Sequence, residues 1–332
     1  MTLLGLVAVG VPAQGSIPAG TNGKIVFGQV FPNLGVTINP DGSDKHRVGP
    51  SGRTTCTTWS PDSSKVLCNL WSEASVQPAT ANPDGSDFRL LNPNLPLDLF
   101  CLSWSPDGTR LLCHSEGIAN PADAGLYTVR SSDAGDLVRV TAIPADHFDD
   151  GYGYAPDGSR ILFSRFDSTG HGVLFSVKPN GSGRLRLSPA RLSVIDLDFF
   201  DRVGADWSPN GSRVTFAAQQ LSRRGFKTAL FVVRANGTGL HQITPSGLGA
   251  ISAQWSPNGR LVAFTAAALS PRCGWFIRTE PGSRRSPPRF IVSSPSRRSG
   301  RPTAGSSSST GRGATARPAC GPQMSMVQGC RR

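Results

Sequence analysis

Acidic side chains gather with a histidine in one short stretch, ADHFDDGYGY, which places Asp146, His147, Asp149 and Asp150 within five residues. A second stretch, DLDFFDRVGADW, adds Asp196, Asp198, Asp201 and Asp206. Carboxylate oxygens in such numbers suit Ca²⁺ or a basic ligand. A carboxylate beside an imidazole also suits acid–base work of the lyase or glycosidase kind. The competing reading is structural, because acids at such places cap turns and hydrogen-bond neighbouring backbone. The structural role is the expectation, with no catalytic residue, no cofactor and no resident metal. Ca²⁺ at Asp146, His147, Asp149 and Asp150 is the alternative. The other histidines, His46, His114, His171 and His241, are scattered one to a repeat and assemble no Ser-His-Asp set. Nucleophile-elbow, P-loop, dinucleotide-binding, H-E-x-x-H and EF-hand signatures do not occur in the chain.

The elements that must position these residues repeat. The segments TWSPDSSKVLC, SWSPDGTRLLC, GYAPDGSRILF, DWSPNGSRVTF and QWSPNGRLVAF put Trp59, Trp104, Tyr154, Trp207 and Trp255 at one equivalent position. Between them runs a second element: INPDGSDKHRV, ANPDGSDFRLL, VKPNGSGRLRL and VRANGTGLHQI, with a weaker copy, VRSSDAGDLVRV. Each reads as a β-hairpin. Proline presets φ at the second turn position, Asp or Asn suits the third, and glycine takes the left-handed conformation that follows. Two hairpins per repeat give four antiparallel strands, A to D. A four-stranded sheet every 45 to 53 residues is the signature of a propeller blade.

On these residues the chain resembles the TolB-type β-propellers, whose WD40-like (PD40) repeats carry W-S-P-D-G in the first hairpin and D-G in the second. The resemblance covers residues 23–268 and concerns the propeller alone, not the α/β domain that precedes it in TolB. It implies six blades, export and service as a protein-binding platform.

Cys56 and Cys68 bracket one repeat, and Cys101 and Cys113 bracket the next at the same separation. With Asp62 and Asp107 as turn centres, each cysteine faces its partner across strands A and B. At the second position the other repeats carry Phe163, Phe216 and Phe264, and at the first Gly151, Gly204 and Ser252. The slot thus holds either a ring opposite a small residue or Cys opposite Cys. Cross-strand neighbours are close enough for a disulfide after slight backbone adjustment. Two disulfides are expected, and with them an oxidising compartment; free buried thiols are the alternative.

The predicted fold is all-β, a six-bladed propeller with blades near 23–50, 51–95, 96–144, 145–190, 197–246 and a partial one at 247–270. GKIVFGQ supplies strand B of the first blade, and ISAQWSPNGRLVAFT supplies A and B of the sixth. Strands C and D of the sixth blade and A of the first are not found. Residues 271–332 hold 12 Arg, no Lys and one acid, Glu280, and so carry +11 of the net +12. They read as a disordered basic tail, or as an out-of-frame stretch beginning near 266–272. The preceding 270 residues carry only +1, which argues against a protein-wide surface for nucleic acid. MTLLGLVAVGVPAQG, with an apolar run from Leu3 to Val11, resembles the core and cleavage zone of a secretory signal, its remnant being residues 1–15. A first buried strand is the alternative. No stretch is long and apolar enough to span a membrane.

The A–B and C–D turns should share one face of the propeller. The dissimilar B–C loops, 72–80, 114–125, 165–172 and 218–228, should share the other face with the D–A loops. The expected function is a non-enzymatic, exported, monomeric scaffold that binds a protein or cell-envelope partner there. One alternative is a propeller lyase or glycosidase using the 146–150 cluster. The other is a truncated or frameshifted product without stable function.

Overall fold

The computed structural model describes residues 23–29, 34–72, 75–117, 120–144, 146–195, 204–222, 225–266, 272–277 and 290–292. The reading of 1–15 as a secretory segment, and that of the tail beyond 292, fall outside these residues.

Hairpins built on the repeated turns produce successive antiparallel sheets. The first comprises β1 (Ile25–Gln29), β2 (Leu34–Ile38) and β3 (His46–Val48). β4 (Thr54–Trp59), β5 (Val66–Trp71), β6 (Val76–Ala81) and β7 (Arg89–Leu90) form the second. The third contains β8 (Phe100–Trp104), β9 (Arg110–Ser115), β10 (Gly125–Arg130) and β11 (Val138–Arg139). In the fourth are β12 (Phe148–Tyr154), β13 (Ile161–Phe166), β14 (Gly172–Val177) and β15 (Leu185–Arg186). A short β16 (Ser193–Val194) joins it to the fifth: β17 (Ala205–Trp207), β18 (Arg213–Ser222), β19 (Gly225–Arg234) and β20 (His241–Gln242). The last holds β21 (Ala250–Trp255), β22 (Leu261–Ala266), β23 (Arg272–Ile277) and β24 (Phe290–Val292). The leading strands of successive sheets touch in chain order, β1 with β4, β4 with β8, β8 with β12, β12 with β17 and β17 with β21. That is the arrangement of a β-propeller.

The turns have a common chemistry. The Ser60 hydroxyl donates to Asp62 Oδ1 (2.6 Å) and accepts from the Lys65 amide (2.9 Å). Ser105 does the same with Asp107 and Arg110, and Ser208 with Asn210 and Arg213. These hydrogen bonds, led by those from the serine hydroxyls, hold the carboxyls of Asp62 and Asp107 below the usual range. Gly108, Gly158, Gly211 and Gly259 take positive φ in these turns, whereas the second sheet places Ser63 there at 60°. Lys65 Nζ reaches Asn82 Oδ1 (2.8 Å) and Asp87 Oδ2 (2.6 Å), and Arg110 Nη1 reaches Asp136 Oδ2 (2.5 Å). Those bonds tie each A–B turn to the C–D turn of its own sheet, so the two turn types share a face.

The core is a series of layers between sheets. Trp59 packs beside Val26, Cys56 and Cys68 between the first two sheets, and Trp104 beside Leu67, Leu111 and Cys113 in the next layer. Tyr154, Trp207 and Trp255 occupy the following three layers. A sheet covered on both faces needs apolar residues on both sides of its inner strands, and ILFSRF in β13 is buried at five of six positions.

Both expected disulfides form, Cys56–Cys68 and Cys101–Cys113, with Cα separations of 3.9 and 3.8 Å. A one-residue bulge between Cys56 and Thr58, and another between Cys101 and Ser103, bring each pair into register. Gly151 faces Phe163 by the same device. Elsewhere the expected alignment is corrected. Phe216 and Phe264 face Ala205 and Ala253, not Gly204 and Ser252, because the bulge in β21 falls one residue earlier relative to its tryptophan and no bulge lies within β17.

Two further expectations change. The last sheet is not limited to strands A and B: RCGWFI and FIV supply β23 and β24, which pair in order beyond β22. Apolar alternation suffices to extend a sheet edge without a Pro-Asp-Gly turn, the signal on which the sequence reading relied. The loop expected at 218–228 is instead a hairpin in which β18 and β19 stay paired to Ser222 and Gly225. Likewise 72–80 is mostly β6.

Each disulfide closes a short loop, so its loss should destabilise the fold by about 3 kcal/mol. Urea unfolding of oxidised protein, against protein refolded and held in reductant, measures this. Coincident midpoints would contradict the cross-links.

Candidate functional site

Strand A of each sheet begins, and strand B ends, on the face opposite the repeated turns. Aromatic residues line that end in the second to fourth sheets. Trp71 at the end of β5 lies 5.6 Å, centroid to centroid, from Phe100 at the start of β8, and Phe100 lies 5.4 Å from His114. In the fourth sheet Phe148 stacks on Phe166 at 4.7 Å and remains 44% exposed.

The acidic residues of this sheet, for which a structural role is the expectation and Ca²⁺ the alternative, lie as follows. Asp146 and His147 are exposed in the approach to β12, and Asp146 adopts φ of 62°. Asp149 and Asp150 are successive strand residues and so point to opposite sides. Asp149 is buried and held bidentately by its cross-strand partner: Arg165 Nε donates to Oδ1 (2.6 Å) and Nη2 to Oδ2 (2.7 Å). Arg165 Nη2 also donates to the Ala142 carbonyl (3.0 Å), fastening the D–A connection. This pairing uses both carboxylate oxygens of Asp149. Among the described residues no three His, Cys, Asp or Glu side chains gather as metal ligands.

Asp196, Asp198 and Asp201 lie outside the described residues. Asp206, in β17, accepts from the Trp255 amide (2.8 Å) of β21 and bonds to the Trp207 amide, joining the leading strands of two sheets. The residue is half-buried, and desolvation of its carboxyl, opposed only by those two amides, raises its pKa from 3.8 to about 7.

Sequence reasoning missed several residues that shape this end of the fold. Asn69 makes reciprocal bonds across sheets, donating to the Cys101 carbonyl (2.9 Å) and accepting from its amide (2.7 Å). Arg165 was findable, since it stands as far beyond the turn centre Asp157 as Asp149 stands before it. The third feature is the β18–β19 hairpin, two ten-residue strands where most neighbouring B and C strands have six. Phe226 near its tip is 70% exposed, the most exposed of the large apolar residues described. β16 braces its base, pairing Gly172 with Val194 on one side and Gln219 with Ser193 on the other.

No model of a known protein family matches the chain, and no curated protein does. Solved structures do match it. TolB from Acinetobacter baumannii is 18% identical with a TM-score of 0.54, over 83% of this chain and 65% of that one. An oligogalacturonate lyase from Vibrio parahaemolyticus is 10% identical with a TM-score of 0.56, over 83% and 76%. A puromycin-hydrolysing peptidase from Mycobacterium tuberculosis is 13% identical with a TM-score of 0.60, over 83% and 44%. At these identities the likeness is one of fold, and the fold is shared by proteins of different activity.

Replacing Arg165 by Ala should leave the Asp149 carboxylate buried and unpaired, at a cost of about 3–5 kcal/mol. A chemical melt tests this, and a loss below 1 kcal/mol would contradict the burial. Asp206 titrates near 3.8 when unfolded and near 7 when folded, so between those values the folded state holds the extra proton. Stability should therefore fall as pH rises from about 4 to 7 and level off above. Thermal melts from pH 4 to 7.5 should show this slope in the native protein and a shallower one in Asp206→Asn. Parallel curves would remove the raised pKa.

Proposed function

We propose that this protein is an exported, non-enzymatic, monomeric β-propeller of the TolB-like WD40-repeat kind. It binds a protein or cell-envelope partner through the face carrying its B–C and D–A connections. One observation carries this reading: the two faces are built to different rules. On the turn face, Gly108, Gly158, Gly211 and Gly259 lie against Pro61, Pro106, Pro156 and Pro209 of the preceding sheet, so the turns form one repeating surface. The opposite face has connections of unequal length, exposed Phe148 and Phe226, and the projecting β18–β19 hairpin. Divergent elements on a rigid frame are where recognition is placed.

Export is supported by the two disulfides, which persist in oxidising compartments. No described helix is long and apolar enough to cross a membrane. A binding role is favoured over a catalytic one by the state of the acids: Asp149 is committed to Arg165, and Asp206 to backbone amides.

The test is affinity capture from cell-envelope extract with the native chain beside two variants. In one, the B–C connections at 116–124 and 167–171 and the hairpin tip at 219–228 are replaced by short turns. In the other, the C–D turns at 82–86 and 178–182 are exchanged for each other. A partner recovered by the native chain should fall at least tenfold with the first variant and be unchanged with the second. Equal recovery by all three would overturn the assignment of the face.

A further inference from the structure

The near-zero charge of the propeller conceals a division. Residues 23–206 contain 16 Lys and Arg and 21 Asp and Glu, whereas residues 207–266 contain six Lys and Arg and no acid at all. The chain from β18 to β22 is therefore purely cationic, and the β18–β19 hairpin projects from it. Arg223 and Arg224 connect its strands, Lys227 follows, and no carboxylate occurs in the sequence between Asp206 and Glu280.

The hairpin also presents an open backbone edge. The Leu230 carbonyl accepts from the Ile243 amide (2.8 Å), and the Leu230 amide donates to Thr244 Oγ1 (2.9 Å), so even-numbered residues of β19 turn their amides away from β18. β20 pairs only with Phe231 and Val232. At the next outward positions, Thr228 and Phe226, no strand pairs with β19 on that side among the described residues. β16 occupies the opposite edge, beside Ala218 and Gln219, so among the described residues the edge without a paired strand near the tip is that of β19. A lysine on an edge strand commonly blocks unwanted pairing. That role explains Lys227 but not the exposed phenylalanine adjoining it.

We propose that the outer edge of β19 at Phe226–Thr228 docks an acidic, extended segment of a partner protein. The segment adds a strand to the hairpin, with Lys227 reading its charge and Phe226 covering its apolar side chains. Strand addition draws affinity from main-chain bonds and specificity from alternate side chains. Phe226 and Thr228 project to one side of the ribbon and Lys227 to the other. An added strand alternating acidic and apolar residues matches both sides at once. This inference rests on the binding-face reading above and names the partner's chemistry.

The experiment uses the full chain and a fluorescent ten-residue peptide alternating glutamate and valine. Its comparators are a lysine–valine peptide and a glutamate–valine peptide N-methylated at its six central amides. The expected result is saturable binding of the first peptide, weakened at least tenfold by Lys227→Glu, by Phe226→Ala and by N-methylation, and falling as salt is raised. Both substitutions lie at an exposed tip, and unchanged thermal melts will show that the fold is intact. Binding of the lysine peptide as tight as that of the glutamate peptide would overturn the proposal. So would binding indifferent to Lys227→Glu, full binding of the N-methylated peptide, or no binding. Hairpin-dependent self-association, or uptake by phosphatidylglycerol vesicles without peptide binding, would assign the hairpin to a second copy or to a lipid surface and likewise overturn it. If only the peptide assay fails while exchange of the 116–124 and 167–171 connections still abolishes capture, the binding face stands and this edge is removed from it.

Discussion

A single serine hydroxyl fastens most of the A–B turns on which this fold is built. In the turns that begin at Ser60, Ser105, Ser208 and Ser256 it donates to an Asp or Asn two residues on and accepts an amide five residues on. The backbone closes the same loop, as Ser60 and Lys65 show at 2.8 Å. Fixing the turn fixes the position of the aromatic residue just before it, which then stands at the end of strand A and enters the layer between two sheets. The fourth sheet shows what is dispensable. Ala155 replaces the serine there, yet its amide still donates to the Arg160 carbonyl and Asp157 still caps Ser159. Backbone closure sets the turn, and the hydroxyl adds to it.

The aromatic layers carry a cost that indicates their main role. The indole nitrogens of Trp104, Trp207 and Trp255 and the hydroxyl of Tyr154 are buried without a hydrogen-bond partner among the described residues. Leaving such a donor unsatisfied costs about 1–3 kcal/mol. The same position is nevertheless aromatic in five successive repeats, so ring area between sheets outweighs the unpaired donor. A residue chosen mainly for area sets sheet spacing, and that spacing brings the Asp206 carboxylate within 2.8 Å of the Trp255 amide in the next sheet.

Much of this was readable in the chain because hairpins are local. The turn centres Asp62 and Asp107 placed Cys56 opposite Cys68 and Cys101 opposite Cys113, and those disulfides are present. The bulges that make the register work were not readable: a bulge adds one residue without any composition of its own, so Phe264 was matched to Ser252 instead of Ala253. Contacts between sheets were equally hidden, since the partner of Asn69 lies 32 residues away and nothing local announces it. The acidic stretch around Asp149 left a ligand set open as the alternative to its expected structural role, because sequence proximity counts charges without their directions. Strand alternation then separated Asp149 from Asp150, and the cross-strand Arg165 took the buried carboxylate. For the sixth sheet, the lesson concerns signals. RCGWFI lacks the turn that identified its counterparts, but pairing with β22 requires only a backbone free to bond.

Net charge gave the least guidance of any global quantity, and the reason is geometric. Potential at a surface depends on where charges lie, so two arcs of opposite sign can sum to nearly zero and still produce a strong directional field. Here the acids are concentrated in the first four sheets, largely as turn residues such as Asp41, Asp84, Asp107 and Asp157, whose carboxyls are held ionised by neighbouring hydroxyls and amides. The fifth and sixth repeats keep the same turns with Asn210, Asn236 and Asn258 in place of aspartate. Asparagine caps the turn as aspartate does: Asn210 Oδ1 accepts from Ser212 and Asn236 Oδ1 from Thr238. The exchange therefore leaves the fold unaltered while removing negative charge from one side of the propeller. A scaffold whose turns accept either residue can set its electrostatic polarity independently of its architecture, and that polarity would orient a charged partner before any contact is made.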